Sequence, residues 1–218
     1  MQGRLELTPS VTYDNLFAQG AHVYAVATGT LAIVDVQDPA HPTMTTVLQD
    51  SRMSLASTEE SGRLWVGGGY AYVVTGERSE RLFHIVDVYD PQNPFYVDTF
   101  TYTLGTGSRQ HVTDIAGSGK VLYLGVYWGN LVVFDISNPV APQYVTDGWS
   151  LPPADPQWPG WPAGWGLGRL WGEYLAIPAI SHFHLVDVPR DGEGLIGPIT
   201  VEANLRYPVY LQLCLRNP

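Results

Sequence analysis

Short apolar runs recur along the chain in pairs, and almost none follows a helical period. "HVYAVAT" (22–28) is followed by "LAIVDV" (31–36), "AYVVTG" (71–76) by "LFHIVDV" (82–88), "VLYLGVY" (121–127) by "LVVFDI" (131–136), and "EYLAIPA" (173–179) by "HFHLVDV" (182–188). A few glycine or polar residues separate the members of each pair, so each pair predicts a β-hairpin. Runs that are continuous rather than alternating predict strands covered on both faces. Weaker runs flank the hairpins: "GRLWVGGG" (62–69) and "HVTDIAG" (111–117) upstream, "TMTTVLQD" (43–50) and "FYVDTFTYT" (95–103) downstream. Each unit therefore holds about four strands. Pro or Gly interrupts most windows long enough for a helix, and none is predicted.

The second run of every pair ends on an aspartate: Asp35, Asp87, Asp135 and Asp187, at steps of 52, 48 and 52 residues. In the first three units an Asp-Pro or Asn-Pro pair follows, and a second proline stands three positions on, as in "VQDPAHP", "VYDPQNP" and "ISNPVAP". The fourth unit keeps the strand and loses this tail, reading "VDVPRDGEG". A period of about 50 residues marks a repeat architecture. Four-stranded sheets stacked radially cover both faces of each sheet, so the predicted fold is all-β, a β-propeller of four visible blades. A β-sandwich accounts for short strands but not for near-identical strand-turn sequences at a fixed period. The units fall at about 11–54, 55–105, 106–151 and 164–205, in one array over 1–218.

"LAIVDVQDPAHP", "LFHIVDVYDPQNP" and "LVVFDISNPVAP" resemble the LVIVD repeat, a β-propeller repeat of many bacterial and archaeal proteins. The resemblance spans nearly the whole chain, and the fourth unit departs from it after Val188. It implies a scaffold, often surface-associated or secreted, and supplies no reaction, since such proteins are mostly without an assigned function. Two readings of ring closure stand. "RYPVYLQLCLRNP" (206–218) resembles the first strand of a further blade in a truncated propeller, which would leave an edge open to self-association near residues 205–218. Alternatively this strand, or the N-terminal "RLELTPSVTY", completes a blade across the junction and closes four.

Charge narrows the partners. With 11 basic and 21 acidic residues the net charge is −10, and no basic run exists to hold nucleic acid or an anionic membrane. No apolar segment approaches the length that spans a bilayer, and the first residues lack the features of a secretory signal. The single cysteine, Cys214, cannot form an internal disulfide. The compartment is therefore left open, apart from what the resemblance implies.

Among candidate chemistries, the four aspartates could place carboxylates on successive blades for catalysis or metal binding. The structural reading is stronger: a carboxylate before an Asx-Pro turn accepts from turn N–H groups, and one identical copy per blade suits a structural device better than a site. His84 and His184 share a column that Ala32 and Val132 fill elsewhere. As buried or edge histidines satisfied by the backbone they need no metal, and none is expected. Gly67, Gly68 and Gly69 predict a tight turn, since no helix follows to present phosphate-binding N–H groups. No cofactor motif and no nucleophile elbow occurs.

The least repetitive stretch is the Trp- and Pro-rich insert over 149–165 and its flank, with Trp149, Trp158, Trp161, Trp165 and Trp171. Pro159 and Pro162 oppose a helix, so the segment is expected to be stiff and irregular. Trp158, Trp161 and Trp165 are the candidate binding residues, for a glycan or a protein partner, against a packing role as a plug or cover. The function expected is binding or scaffolding without catalysis. The alternative is an enzyme with a channel-mouth site drawn from His111, Asp114, Glu59 and Glu60.

Overall fold

In the computed structural model each repeated hairpin forms the middle of a four-stranded antiparallel sheet. The structure describes residues 4–7, 11–54, 62–75, 80–103, 112–126, 130–150, 170–171, 174–178, 183–187 and 199–201. The first blade is β1 (Asn15–Gln19), β2 (His22–Ala27), β3 (Thr30–Asp35) and β4 (Thr43–Gln49). The second is β5 (Arg63–Gly67), β6 (Tyr70–Thr75), β7 (Glu80–Asp87) and β8 (Phe95–Thr103). The third is β9 (Val112–Ser118), β10 (Val121–Val126), β11 (Asn130–Asp135) and β12 (Gln143–Ser150). The fourth is β13 (Leu170–Trp171), β14 (Tyr174–Pro178), β15 (Phe183–Asp187) and β16 (Ile199–Val201). Strand order within each sheet is the chain order, an up-and-down meander. Among the described residues the one helical element is a 3₁₀ turn, Ser51–Met53, between the first two blades.

The first strands of the blades meet one another: β1 packs beside β5, β5 beside β9 and β9 beside β13. They are the axial strands, and the last strands form the outer edges. The burial gradient agrees, since β3 is buried from Thr30 to Val34 while β4 is exposed or half-buried throughout. The chain is an all-β propeller of four-stranded blades.

Continuous apolar runs have a direct cause here. Successive side chains of a strand point to opposite faces, and in a blade both faces meet a neighbour. Ala71 and Val73 of β6 turn toward the first blade, joining Val86 and Val88 against Tyr24, Val26, Leu31, Ile33 and Met53. Tyr72 and Val74 of the same strand turn toward the third blade, where Phe83 and Ile85 meet Leu122, Leu124, Val132 and Phe134. Each fully buried Leu, Ile or Phe stabilises the fold by about 1.5–3 kcal/mol. The two seams are thus the main adhesive between blades, and the hydrogen-bond ladders act within each blade.

At the axis the second seam is closed by Trp65. Its indole lies between Gly67 of its own strand and Gly117 of β9, where an added Cβ would stand 2.2 and 2.3 Å from ring atoms. Phe17 of β1 meets the same ring edge-on at 6.4 Å, and Tyr72 lies beside it at 5.6 Å. The three consecutive glycines therefore divide their work. Gly68 and Gly69 make the turn with positive φ of 62° and 83°, whereas Gly67 is a strand residue whose missing side chain makes room for the indole.

Because Trp65 is only 7% exposed and held from three sides, it cannot swing aside for a new methyl group. Gly117→Ala should lower stability by about 1–3 kcal/mol in a denaturant titration. Adding Trp65→Leu to that variant should recover part of the loss, and strict additivity of the two changes would show that the ring is not the obstacle.

Candidate functional site

The repeated aspartates do one local job. Asp35 Oδ1 accepts from the Gln37 N–H at 2.7 Å, Asp87 Oδ1 from the Tyr89 N–H at 2.9 Å and Asp135 Oδ1 from the Ser137 N–H at 2.7 Å. One residue after each aspartate, the N–H of Val36, Val88 and Ile136 reaches back to the carbonyls of Ala21, Gly69 and Lys120 at 2.8, 2.8 and 2.7 Å. The Asx-Pro corner then closes, with His41, Asn93 and Ala141 each donating to the carbonyl of Asp38, Asp90 or Asn138 at 3.0 Å. Proline at the second corner position supplies the φ such a turn requires. Asp187 ends β15 opposite Tyr174, in the register Asp35 has with His22, and the residues that follow it lie outside those described. All four aspartates end third strands, and the carboxylates of Asp35, Asp87 and Asp135 are each engaged by their own turn.

The Asx-Pro corner also reaches across the second seam. Tyr72 donates its hydroxyl to the Pro139 carbonyl at 3.0 Å, so the third blade's turn holds a buried phenol of the second. Tyr123 occupies the same column one blade on, and its buried hydroxyl has no hydrogen-bond partner among the described residues. The sequence signal for this contact is the tyrosine repeated at 24, 72 and 123.

His84 is wholly inside the first seam and far from the axial strands in strand order. Its Nε2 lies 2.7 Å from Thr75 Oγ1 and its Nδ1 3.0 Å from the Tyr96 hydroxyl, so side chains satisfy it, not the backbone. The side chain of His184 and all of His182 lie outside what is described. Among the described residues no group of three or more His, Cys, Asp or Glu is placed to hold a metal ion.

A different set of polar residues shares one end of the axial strands. Asn15 of β1 pairs with Val26, Arg63 of β5 with Val74 and Asp114 of β9 with Gly125. Val26, Val74 and Gly125 each stand two residues past the repeated tyrosine, so Asn15, Arg63 and Asp114 hold one register position on three adjacent axial strands. By the same registers, β1 starts and β4 finishes at this end, as do their counterparts in the next two blades. Where the aspartates of the turns are identical, these three residues are unlike: an amide, a guanidinium and a carboxylate.

Asp114 ends the regular ladder of its strand, beside an irregularity. Gly125 faces Asp114 but Val126 faces Val112, leaving Thr113 as an extra residue in β9, a bulge that β1 and β5 lack. Bulges re-aim side chains and gather beside sites. Burial pushes the Asp114 carboxyl above its ordinary value, while the Ile115 N–H, donating at 2.8 Å, and the charge of Arg63 pull it down. A carboxylate kept where its charge is costly is a recognised mark of a working site. The spacing that produces the bulge, "HVTDIAG" against "GRLWVGG", carried no legible signal.

Of the residues proposed from sequence for an enzyme, Asp114 is the one that can be placed; Glu59, Glu60 and His111 lie outside the described residues, as do Trp158, Trp161 and Trp165 and the stretch 205–218. The Trp-rich insert begins later than its composition indicated. β12 runs to Ser150 with Trp149 paired to Leu131, and Trp171 belongs to β13, so neither is a loop residue.

Comparison with known proteins adds the family and the fold. The LVIVD repeat model matches residues 14–49, 60–101 and 110–147. A crystal structure of a protein from Lactobacillus plantarum is similar with a TM-score of 0.60 at 12% identity, covering 88% of this chain and 56% of that one. Kluyveromyces lactis Hsv2 is similar with a TM-score of 0.52 at 14% identity, covering 81% and 45%. The chain thus spans about half the length of these propeller-like structures. No curated protein matches it.

Two outcomes are expected. Asp87→Ala removes one turn acceptor from a half-buried site and should cost about 0.5–1.5 kcal/mol, with Asp87→Asn close to wild type; equal melts for all three proteins would remove the carboxylate from the turn's stability. Asp114→Asn should act in the opposite sense. A carboxyl raised above its unfolded value loses native stability as pH climbs from the ordinary value of 3.8 through the raised one. The Asn variant should therefore melt above wild type at pH 7 and merge with it below about pH 4. A lower melt at pH 7 would show that the charge stabilises the fold.

Proposed function

We propose, on the premise that this chain belongs to the LVIVD-repeat family, that it is a non-catalytic binding module whose ligand is held at the axial end occupied by Asn15, Arg63 and Asp114. The observation that carries the reading is the contrast within one repeat. Columns that maintain the blades are repeated from unit to unit, whereas this column changes chemistry at every blade. Binding requires unlike groups in one place, and a propeller supplies such a place wherever its axial strands begin together.

The chemistry of the three residues favours a neutral polar ligand. Carboxylate, guanidinium and amide are planar groups with paired donors or acceptors, suited to adjacent hydroxyls of a glycan or to the amides of a protein loop. The net charge of −10 opposes nucleic acid and other polyanions. Trp158, Trp161 and Trp165 belong to the segment that joins the end of β12 to the start of β13. The end of β12 is at this same rim, and we propose that these indoles add apolar faces to the polar column. A second reading, an enzyme with Asp114 as proton acceptor, draws on the raised carboxyl alone and names no reaction.

A glycan array and a partner pull-down with the wild-type protein, Asp114→Asn, and the double variant Trp158→Ala, Trp161→Ala test the proposal. Loss of a contact to a charged group costs about 1.5–3 kcal/mol, or about 10- to 150-fold in affinity. Each variant should lose binding by that order while melting no lower than wild type. Wild-type affinity in Asp114→Asn would sink the axial site. An early-melting Trp variant would return those rings to a packing role.

A further inference from the structure

We infer that the seam between the first and second blades is an acid-sensitive joint, released when His84 takes up a proton. His84 is 1% exposed and lies on the face of the second blade that meets the first. In the equivalent column the first blade has Ala32 and the third has Val132, both buried. Where the second seam needs only the apolar Val132 at this column, the first carries an imidazole.

The imidazole is part of a buried polar set that the first and third blades do not repeat. Thr75 Oγ1 meets one ring nitrogen and the Tyr96 hydroxyl the other, and Tyr96 is bonded in turn to Thr99 Oγ1. A neutral imidazole offers one donor and one acceptor, which suits two hydroxyls that can each play either part. Imidazolium must donate from both nitrogens, and neither partner is an anion.

Among the described residues the ring's hydrogen-bond partners are hydroxyls, and no counter-ion is in contact with it. Arg52, in the 3₁₀ turn that links the two blades, lies 3.6 Å over the Tyr96 ring. Asp50 is already forked onto Arg52, Oδ1 to Nε at 2.9 Å and Oδ2 to Nη2 at 2.5 Å. Asp98 of β8 acts on Arg52 as well. The groups facing His84 are thus Thr75 from β6, Tyr96 and Thr99 from β8, and the Asp50–Arg52 pair from the linker. The first blade contributes Tyr24, Leu31 and Ile33 to the seam and the linker contributes Met53; among the described residues Asp50 is the carboxylate that acts on the ring.

Desolvation holds the His84 ring down to about 4, with Asp50 opposing and Arg52 assisting. A histidine depressed below its unfolded value of 6.5 stabilises the fold above that pH, and the contribution is lost as pH falls through about 4. The loss falls on one seam. The core of the other contains Trp65, Tyr72, Phe83 and Phe134, and among the described residues no histidine besides His84 is buried. Acid therefore loosens the first blade from the second while the second and third remain packed, separating the Asn15 end of the axial column from Arg63 and Asp114.

The test equilibrates wild type and His84→Val at pH 7, 5 and 4, then pulse-labels both with deuterium at one fixed pH. Val is the residue of the third blade's column, and Tyr96 keeps Thr99 as a partner in its absence. In wild type, peptides from β2–β3 and β6–β7 should lose protection before those from β10–β11. In His84→Val that early loss should shift down by about one pH unit or vanish. Simultaneous loss in all blades, or identical profiles in the two proteins, overturns the inference. Should the variant not fold, NMR titration of the His84 ring in wild type decides: titration near 4 with seam opening supports the joint, and titration near 6.5 refutes it.

Discussion

Two apolar faces on every sheet are the constraint from which the structure follows. A sheet with one apolar face can stop at a sandwich, but β6 sends Ala71 and Val73 one way and Tyr72 and Val74 the other, so its blade must lie between two neighbours. Meeting that demand for each blade in succession leads to a radial stack. The seams set the repeat, and the repeat sets which residues are free to vary. Outer strands such as β4 answer to one partner and the solvent, so their sequences drift. Third strands answer to both sides, and they recur almost letter for letter.

That division explains what could be seen in the chain alone. The second and third strands of each blade and their closing Asp-Pro corners were legible because they repeat and because a buried strand next to proline has few alternatives. First and last strands were weaker in signal, yet the register of their neighbours places them. At the start of the Trp-rich segment aromatic composition resembles a loop, while β12 uses Trp149 as an ordinary ladder residue paired with Leu131.

What stayed hidden depends on contacts between units. Gly67 looks like part of a turn until Trp65 is seen across both it and Gly117. Tyr72 looks like a generic core aromatic, although its hydroxyl ends on a carbonyl 67 positions away at Pro139. Thr113 is unremarkable as a letter, and only the paired strand reveals that it is one residue too many. His84 stood out in its column, but an exception within a column does not say which side it faces. None of these facts lies within one strand, so periodicity along the chain cannot carry them.

Function is therefore to be sought where the repeat is broken. A position held constant by packing is bound to the scaffold, and each blade contributes the same group there. Asn15, Arg63 and Asp114 escape that rule because the ends of axial strands meet the opening of the ring rather than a neighbouring core. His84 breaks it from within, at a place where substitution by an apolar residue is already exemplified twice by Ala32 and Val132. The two exceptions are coupled by geometry. The seam containing His84 holds β1 against β5, so it fixes the distance between Asn15 and Arg63. A ligand that bridges those residues would favour the closed seam, and by linkage a closed seam would favour the ligand. The physics that makes the propeller a rigid scaffold thus gives it one joint at which proton uptake and axial binding can oppose each other.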